Sequence, residues 1–351
     1  VVHGLPLARL RNASLFFGEA YMDGTLEIDA TRLNDLFRVI SLNETDSNVA
    51  KLVEKLRRRH KNKKSVQQEY ISHHYDKGNA YYKLWLDTTM TYSCAYFIHP
   101  DDTLEQAQQQ KIDHLLRKLR ISPGQRLLDI GCGWGYLGVA AAKQYNAQVL
   151  GITLSKEQLA GAKALAKKQG VSQQVHFELA NYQDLSASEQ FDRIISVGMY
   201  EHVGRGNHHL YFAAIQKLLK DDGVSVLHSI TARNDRPTSP WIDKYIFPGG
   251  YLPPVSSIEK LMEDFGFCSI DRENLWQHYA LTLHHWRSRH QAHQDKIIKM
   301  FDKSFYRMQD LWLAGSEAAF QYTGTSINQV IFAKRKPPLL EWPLTRQYTL
   351  P

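Results

Sequence analysis

Leu127-Leu-Asp-Ile-Gly-Cys-Gly-Trp-Gly-Tyr-Leu-Gly-Val-Ala140 decides the fold of this chain. An apolar run closing on Asp129, glycines at 131, 133 and 135, and then an Ala-rich segment read as a buried strand, a tight turn and a helix start. Alternate glycines remove the Cβ atoms that would hold a ligand off the backbone, and they accept turn dihedrals that other residues resist. The turn is shaped for close approach of a ligand.

Outward from this turn the pattern alternates. Gln148–Thr153 reads as a strand, Ser155 caps a helix running to Gly170, and residues 175–180 and 191–198 read as strands. A helix near His208 to Lys220 and a strand over residues 224–230 follow. Such alternation implies an α/β fold with a mostly parallel sheet covered on both faces. Ligands of open sheets sit beyond the carboxyl ends of the strands. That rule selects Asp129 to Gly135, Thr153 to Ser155, Asn181-Tyr182, Gly198 to Glu201, and His228 to Ile230.

Two glycine-loop chemistries compete, a dinucleotide fold and an S-adenosylmethionine (SAM) methyltransferase, beside the plainer reading of an ordinary strand-helix turn. D-I-G-C-G-W-G lacks the third glycine of G-x-G-x-x-G and the Lys-Ser/Thr of a P-loop. With Asp129 before it and a strand ending Gly-Ile-Thr about twenty residues on, SAM is the expected ligand.

The 351 residues suit one large domain plus a smaller one, and 43% hydrophobic residues can bury a sizeable core. The expected division is a small, mainly helical accessory domain with a basic linker over residues 1–62, in which nothing suggests chemistry. A SAM-dependent catalytic domain then covers 63–351. A formal net charge of +7 suits contact with phospholipid or nucleic acid without choosing between them. Cys94, Cys132 and Cys268 are odd in number and lack C-x-x-C spacing, so a reducing cytoplasm is expected and neither a disulfide framework nor a metal site is suggested. No apolar run approaches the length of a membrane span, so membrane contact is expected to be peripheral.

Three stretches flank the alternating part. KLVEKLRRRHKNKK over residues 51–64 reads either as a solvated helix end or as a cluster that attracts anionic leaflets. Residues 72–97, with His73, His74, Tyr75, Asp76, Asn79, Tyr92, Ser93 and Cys94, read as a pocket wall ahead of a Thr103-x-x-Gln106 capping box and its helix. Residues 233–255 combine five prolines with Trp241, Tyr245, Phe247 and Tyr251, which suits a substrate-facing flap. A helix from Ser256, a strand to Trp276, helices across residues 278–313 and a last strand over 326–333 complete the reading.

Glu201, His202 and His228 end or interrupt apolar strands, where a carboxylate and imidazoles are candidate acid-base or anchoring groups, although His202 also suits a plain turn cap. At this point H-H-Y-D-K-G-N, Y-S-C-A-Y-F, L-D-I-G-C-G-W-G, G-I-T-L-S, S-V-G-M-Y-E-H-V-G and W-I-D-K-Y-I-F-P-G-G together resemble the cyclopropane fatty acid synthase family, across nearly the whole chain. The resemblance implies a seven-stranded Rossmann-like methyltransferase fold. It also implies methylene transfer from SAM to a cis double bond of a phospholipid acyl chain, through a carbocation that aromatic faces such as Tyr92, Tyr245, Phe247 and Tyr279 would stabilise.

By the same resemblance a bound bicarbonate serves as base, held by Cys94, Glu201, His228, Ile230 (through its backbone) and Tyr279. Glu201 would orient the ion by hydrogen bonding, because two adjacent anions repel. For SAM, resemblance and sheet-edge rule agree on Tyr92, Ser93, Gly131, Gly133, Trp134, Thr153, Leu154, Gln158 and Asn181. The implied setting is the cytoplasmic face of the membrane, with peripheral attachment to an anionic surface, a homodimer and no nucleic acid. Rival readings are a lipid methyl- or methylene-branching enzyme, a small-molecule amine N-methyltransferase, and a non-enzymatic binding protein that keeps the fold.

Overall fold

In the computed structural model, residues 13–43, 78–336 and 342–350 are described. The basic run at 51–64, the His73 to Asp76 segment and the boundary placed after residue 62 lie outside them. The strands are β1 (Arg126–Ile130), β2 (Gln148–Thr153), β3 (Val175–Leu179), β4 (Phe191–Val197), β5 (Leu219–Thr231), β6 (Cys268–Asn274) and β7 (Ser326–Ala333). They form one sheet in the order β3-β2-β1-β4-β5-β7-β6. β1 to β5 pair in parallel, with Asp129 beside Gly151 and Ile195. β7 runs antiparallel between β5 and β6.

The helices are α1 (Ala13–Asp23), α2 (Leu33–Leu42), α3 (Asn79–Tyr82), α4 (Leu104–Leu119), α5 (Tyr136–Tyr145), α6 (Lys156–Lys168), α7 (His208–Leu218), α8 (Pro240–Tyr245), α9 (Val255–Asp264), α10 (Trp276–Ala292), α11 (Gln294–Met300) and α12 (Lys303–Tyr322). Local chemistry sets their ends. Thr103 and Gln106 close a reciprocal capping box at the start of α4, and the Ser155 hydroxyl accepts from the Gln158 N–H to start α6.

Two expected boundaries move. α7 stops at Leu218, because buried Leu219 already pairs with Phe191 and opens β5 through a register shift. Trp276 opens α10 instead of ending β6, since the Asn274 side chain takes the Trp276 N–H and turns the chain.

Three cores result. One sheet face packs Leu127, Val149, Phe177 and Ile195 against α4, α5 and α6, and the other packs Leu128, Ile152, Ile194 and Phe332 against α7 and α9. The third joins the 78–97 segment to α10, α12 and the N-terminal helices through Tyr81, Tyr82, Trp85, Trp286 and Trp312. Phe17 and Phe37 of α1 and α2 meet edge to face and pack against that third core. Residues 13–42, in which the sequence suggested no chemistry, are therefore part of the cap over the sheet edge.

Candidate active site

The glycine turn needs its glycines for two reasons. Gly131, Gly133 and Gly135 have φ of 81°, 56° and 84°, the left-handed region that disfavours side chains. A Cβ on Gly131 would lie 2.8 Å from Met199, and one on Gly135 2.5 Å from the Phe177 ring, whereas Gly133 faces open space. That space belongs to a cavity of about 130 Å³ at the carboxyl ends of β1, β2 and β4. Tyr92, Ser93, Gly131, Gly133, Trp134, Thr153, Leu154, Gln158 and Asn181, the whole expected cofactor set, line it.

Its walls are tied together. Thr153 Oγ1 donates to Gln158 Oε1 at 2.8 Å, which joins two members of that set. The Asn181 Oδ1 accepts the Gln183 N–H at 3.0 Å. Trp134 Nε1 donates to Asn79 Oδ1 at 2.8 Å, so the aromatic segment before the fold clasps the glycine turn. Lys111, which the sequence reading passed over, is buried beneath this cavity and donates to Ser93 Oγ at 2.9 Å. Burial brings its ammonium down to about 8, and burial pushes the Asp129 carboxyl up to about 7 against the pull of Lys111.

A second cavity of about 520 Å³ lies alongside. Cys94, Glu201, His228, Ile230 and Tyr279 all stand on it, amid Phe17, Phe37, Trp241, Phe247, Trp312 and Phe320. Residues of the 233–255 stretch, among them Trp241 and Phe247, supply one wall. Tyr92, Ser93, Gly198 and His202 line both cavities and so form the wall they share, the candidate passage between them. His202 ends the short 3-10 turn Tyr200–His202, with its half-buried ring beside Phe247, and desolvation lowers it to about 4, which leaves it neutral.

Tyr245 departs from expectation. Its hydroxyl donates to Glu19 at 2.8 Å on the rim, and it does not line the large cavity. The Ile230 N–H donates to Glu201 Oε1 at 2.5 Å. It anchors the carboxylate, and leaves Glu201 Oε2 without a hydrogen-bond partner among the described residues. The same holds for His228 Nε2, while His228 Nδ1 lies 3.0 Å from Gln329 Nε2.

Burial raises Glu201 to about 7 despite the Ile230 hydrogen bond. Burial also keeps His228 neutral and holds the Cys94 thiol protonated. Two buried polar atoms without partners among the described residues, in residues that line one largely apolar cavity, fit a small hydrogen-bonding ion. Among the described residues no His, Cys, Asp and Glu cluster suits a metal, and no helix is long and apolar enough to cross a membrane.

A seven-stranded, mostly parallel sheet with a glycine turn and a cavity of this build defines a SAM-dependent methyltransferase. The crystal structure of mycolic acid cyclopropane synthase CmaA1 with SAH and CTAB superposes with a TM-score of 0.71 at 34% identity, covering 76% of this chain and 97% of that one. A family model described as mycolic acid cyclopropane synthetase matches residues 61–330. The chain belongs to that family. It is 40% identical over 327 residues to a probable fatty acid methyltransferase of Pseudomonas putida, covering 90% of this chain and 82% of the relative. It is 37% identical over 330 residues to the cyclopropane-fatty-acyl-phospholipid synthase of Escherichia coli K12, covering 93% and 84%.

Proposed function

We propose that this protein is a cyclopropane-fatty-acyl-phospholipid synthase, which adds a methylene from SAM across the cis double bond of an unsaturated phospholipid acyl chain. One observation carries the reading: Glu201 and His228, whose buried Oε2 and Nε2 have no hydrogen-bond partner among the described residues, line the apolar cavity that shares Tyr92, Ser93, Gly198 and His202 with the cofactor cavity. An alkene is a weak nucleophile, so the residues of the passage must hold the double bond in line with a sulfonium methyl and exclude water. The methyl leaves sulfur for one alkene carbon, and the other carbon becomes a cation. The faces of Tyr92, Phe247 and Tyr279 stabilise it, each worth about 2 kcal/mol when desolvated.

Ring closure requires loss of a proton from the transferred methyl group, and bicarbonate, when bound, supplies the base. Cys94, Glu201, His228 and Tyr279 would hold it, with Ile230 fixing Glu201. Near neutral pH a share of Glu201 carries its proton and can donate to the ion, which removes the repulsion between two anions. The basic run at 51–64 suits attachment to an anionic membrane surface on the cytoplasmic side, and the N-terminal region suits a homodimer contact. The small-molecule amine rival explains neither the apolar breadth of the large cavity nor its complete polar set.

The test is incubation with SAM and vesicles of cis-unsaturated phospholipid, with and without bicarbonate, and proton NMR of the recovered acyl chains. Upfield cyclopropane protons that diminish on bicarbonate removal support the reading. Vinylic methylene signals would reassign the protein to lipid branching, and SAM binding without any lipid product would point to an amine.

A further inference from the structure

Behind His228 the sheet is polar where its neighbours are apolar. β7 sets Gln329 directly opposite His228 of β5, with Gln329 Nε2 3.0 Å from His228 Nδ1. The amide's other end, Oε1, lies 2.7 Å from Lys118 Nζ of α4. His228, Gln329 and Lys118 are each 0% exposed. Lys118 rests in turn on Glu273 of β6, whose carboxylate also meets His114 Nε2 at 2.7 Å. His114 is held by the Thr349 carbonyl at 3.0 Å, so the segment at 342–350 closes the far end of the chain of contacts.

The chemistry of the donors fixes every role. An ammonium can only donate, so the amide atom facing Lys118 is oxygen. The amide nitrogen then faces His228, and since it too can only donate, Nδ1 must accept and carries no proton. The imidazole proton sits on Nε2, a buried atom with no hydrogen-bond partner among the described residues, in a residue that lines the large cavity. A charged imidazolium is disfavoured for the same reason, because an Nδ1–H would meet an N–H. Glu273 keeps the relay polarised: burial would raise its carboxyl, but the hydrogen bond from His114 and the charge of Lys118 hold it at about 2.

We propose that Lys118 and Gln329 are positioning residues that, through the relay from Glu273, lock His228 as its Nε2–H tautomer and aim one N–H donor at an anion bound beside Glu201. The identity of that anion as bicarbonate rests on the function proposed above. The tautomer does not. A ring that could turn over or exchange its proton would present a lone pair to the anion half the time, and outer-shell partners of this kind typically govern affinity by about ten- to a hundredfold.

Nitrogen NMR of the ¹⁵N-histidine-labelled full chain, with His228 assigned by its loss in His228→Gln, reads the proton position directly. The wild type should show Nε2–H. Gln329→Glu keeps the shape and still accepts from Lys118, but offers an acceptor to Nδ1, so the proton should appear there. Lys118→Met, which frees the amide to turn over, should give a mixture and serves if the glutamate variant does not fold. In the lipid assay both variants should need roughly tenfold more bicarbonate for half-maximal rate, with the KM for SAM unchanged. An Nδ1–H signal in the wild type, an unaltered Nε2–H in both variants, or an unaltered bicarbonate response overturns the proposal. If no lipid product forms at all, the functional reading fails while the proton position still decides the relay.

Discussion

Glu201 is a carboxyl whose one oxygen is satisfied by a backbone N–H and whose other is buried with no hydrogen-bond partner among the described residues. Burial raises it to about 7 from an ordinary 4.5. Between those values the folded chain holds a proton that the unfolded chain has released, so the group's contribution to stability is full below about 4.5 and is lost as pH rises through 7. Glu201→Gln keeps the acceptor for Ile230 and cannot ionise. Its unfolding free energy in urea, without ligands, should gain on the wild type as pH rises from 4.5 to 8, by on the order of 3 kcal/mol at most. Asp129, raised in the same direction, is present in both proteins and cancels from the difference. A difference that stays flat over that range would show that Glu201 ionises as freely as in water. Lipid turnover by the same variant should fall, since a neutral amide offers the ion a different donor geometry.

The elements show what was legible and what was not. The glycine turn and strands β1 to β4 follow from local signals, because glycine spacing and apolar runs encode a buried parallel sheet directly. α4 was legible as a helix, but its chemistry was not. Lys111, His114 and Lys118 read as ordinary helix polarity, yet Leu104, Ala107, Lys111, Leu115 and Lys118 recur at three- and four-residue steps along the face that is buried. Two lysines in register with the leucines of one stripe were the available sign of buried charge. Gln329 carried no such sign, since its role depends on β7 being inserted beside β5, a long-range pairing invisible to local pattern.

The helices α1 and α2 were likewise read as accessory for want of polar motifs, although their apolar faces complete the cavity. Gly18 of α1 is where that dependence can be tested. A Cβ there would fall 2.1 Å from Trp241 Cδ1, so Gly18→Ala must push the flap helix α8 aside. Overpacking of this kind typically costs about 1–3 kcal/mol. The KM for lipid should rise severalfold while calorimetric SAM affinity stays constant; parallel losses in both would mean that the cap and the sheet are one rigid unit.

At the scale of the whole molecule, the fold places two differently built cavities against one thin wall. The sheet edge makes the small one, from backbone turns and short polar side chains that suit a nucleoside. The cap makes the large one, from rings contributed by α1, α2, α8, α10 and α12. On the proposed function, transfer between them would cross at Tyr92, Ser93, Gly198 and His202, which line both. Gly198 stands in that shared wall: its φ is 65°, and a Cβ would lie 3.9 Å from Ser93 Cβ, in contact but without a clash. Alanine would therefore meet a backbone cost of roughly 1–2 kcal/mol and little crowding, whereas valine adds two methyl groups at the passage itself. Gly198→Ala should retain measurable turnover, and Gly198→Val should lose it by a hundredfold or more (about 2.7 kcal/mol of barrier). SAM affinity by calorimetry should drop by less than about tenfold in either. If valine abolished SAM binding along with turnover, Gly198 would belong to the floor of the cofactor cavity, and the methyl group would have to cross elsewhere along the shared wall, between Tyr92 and His202.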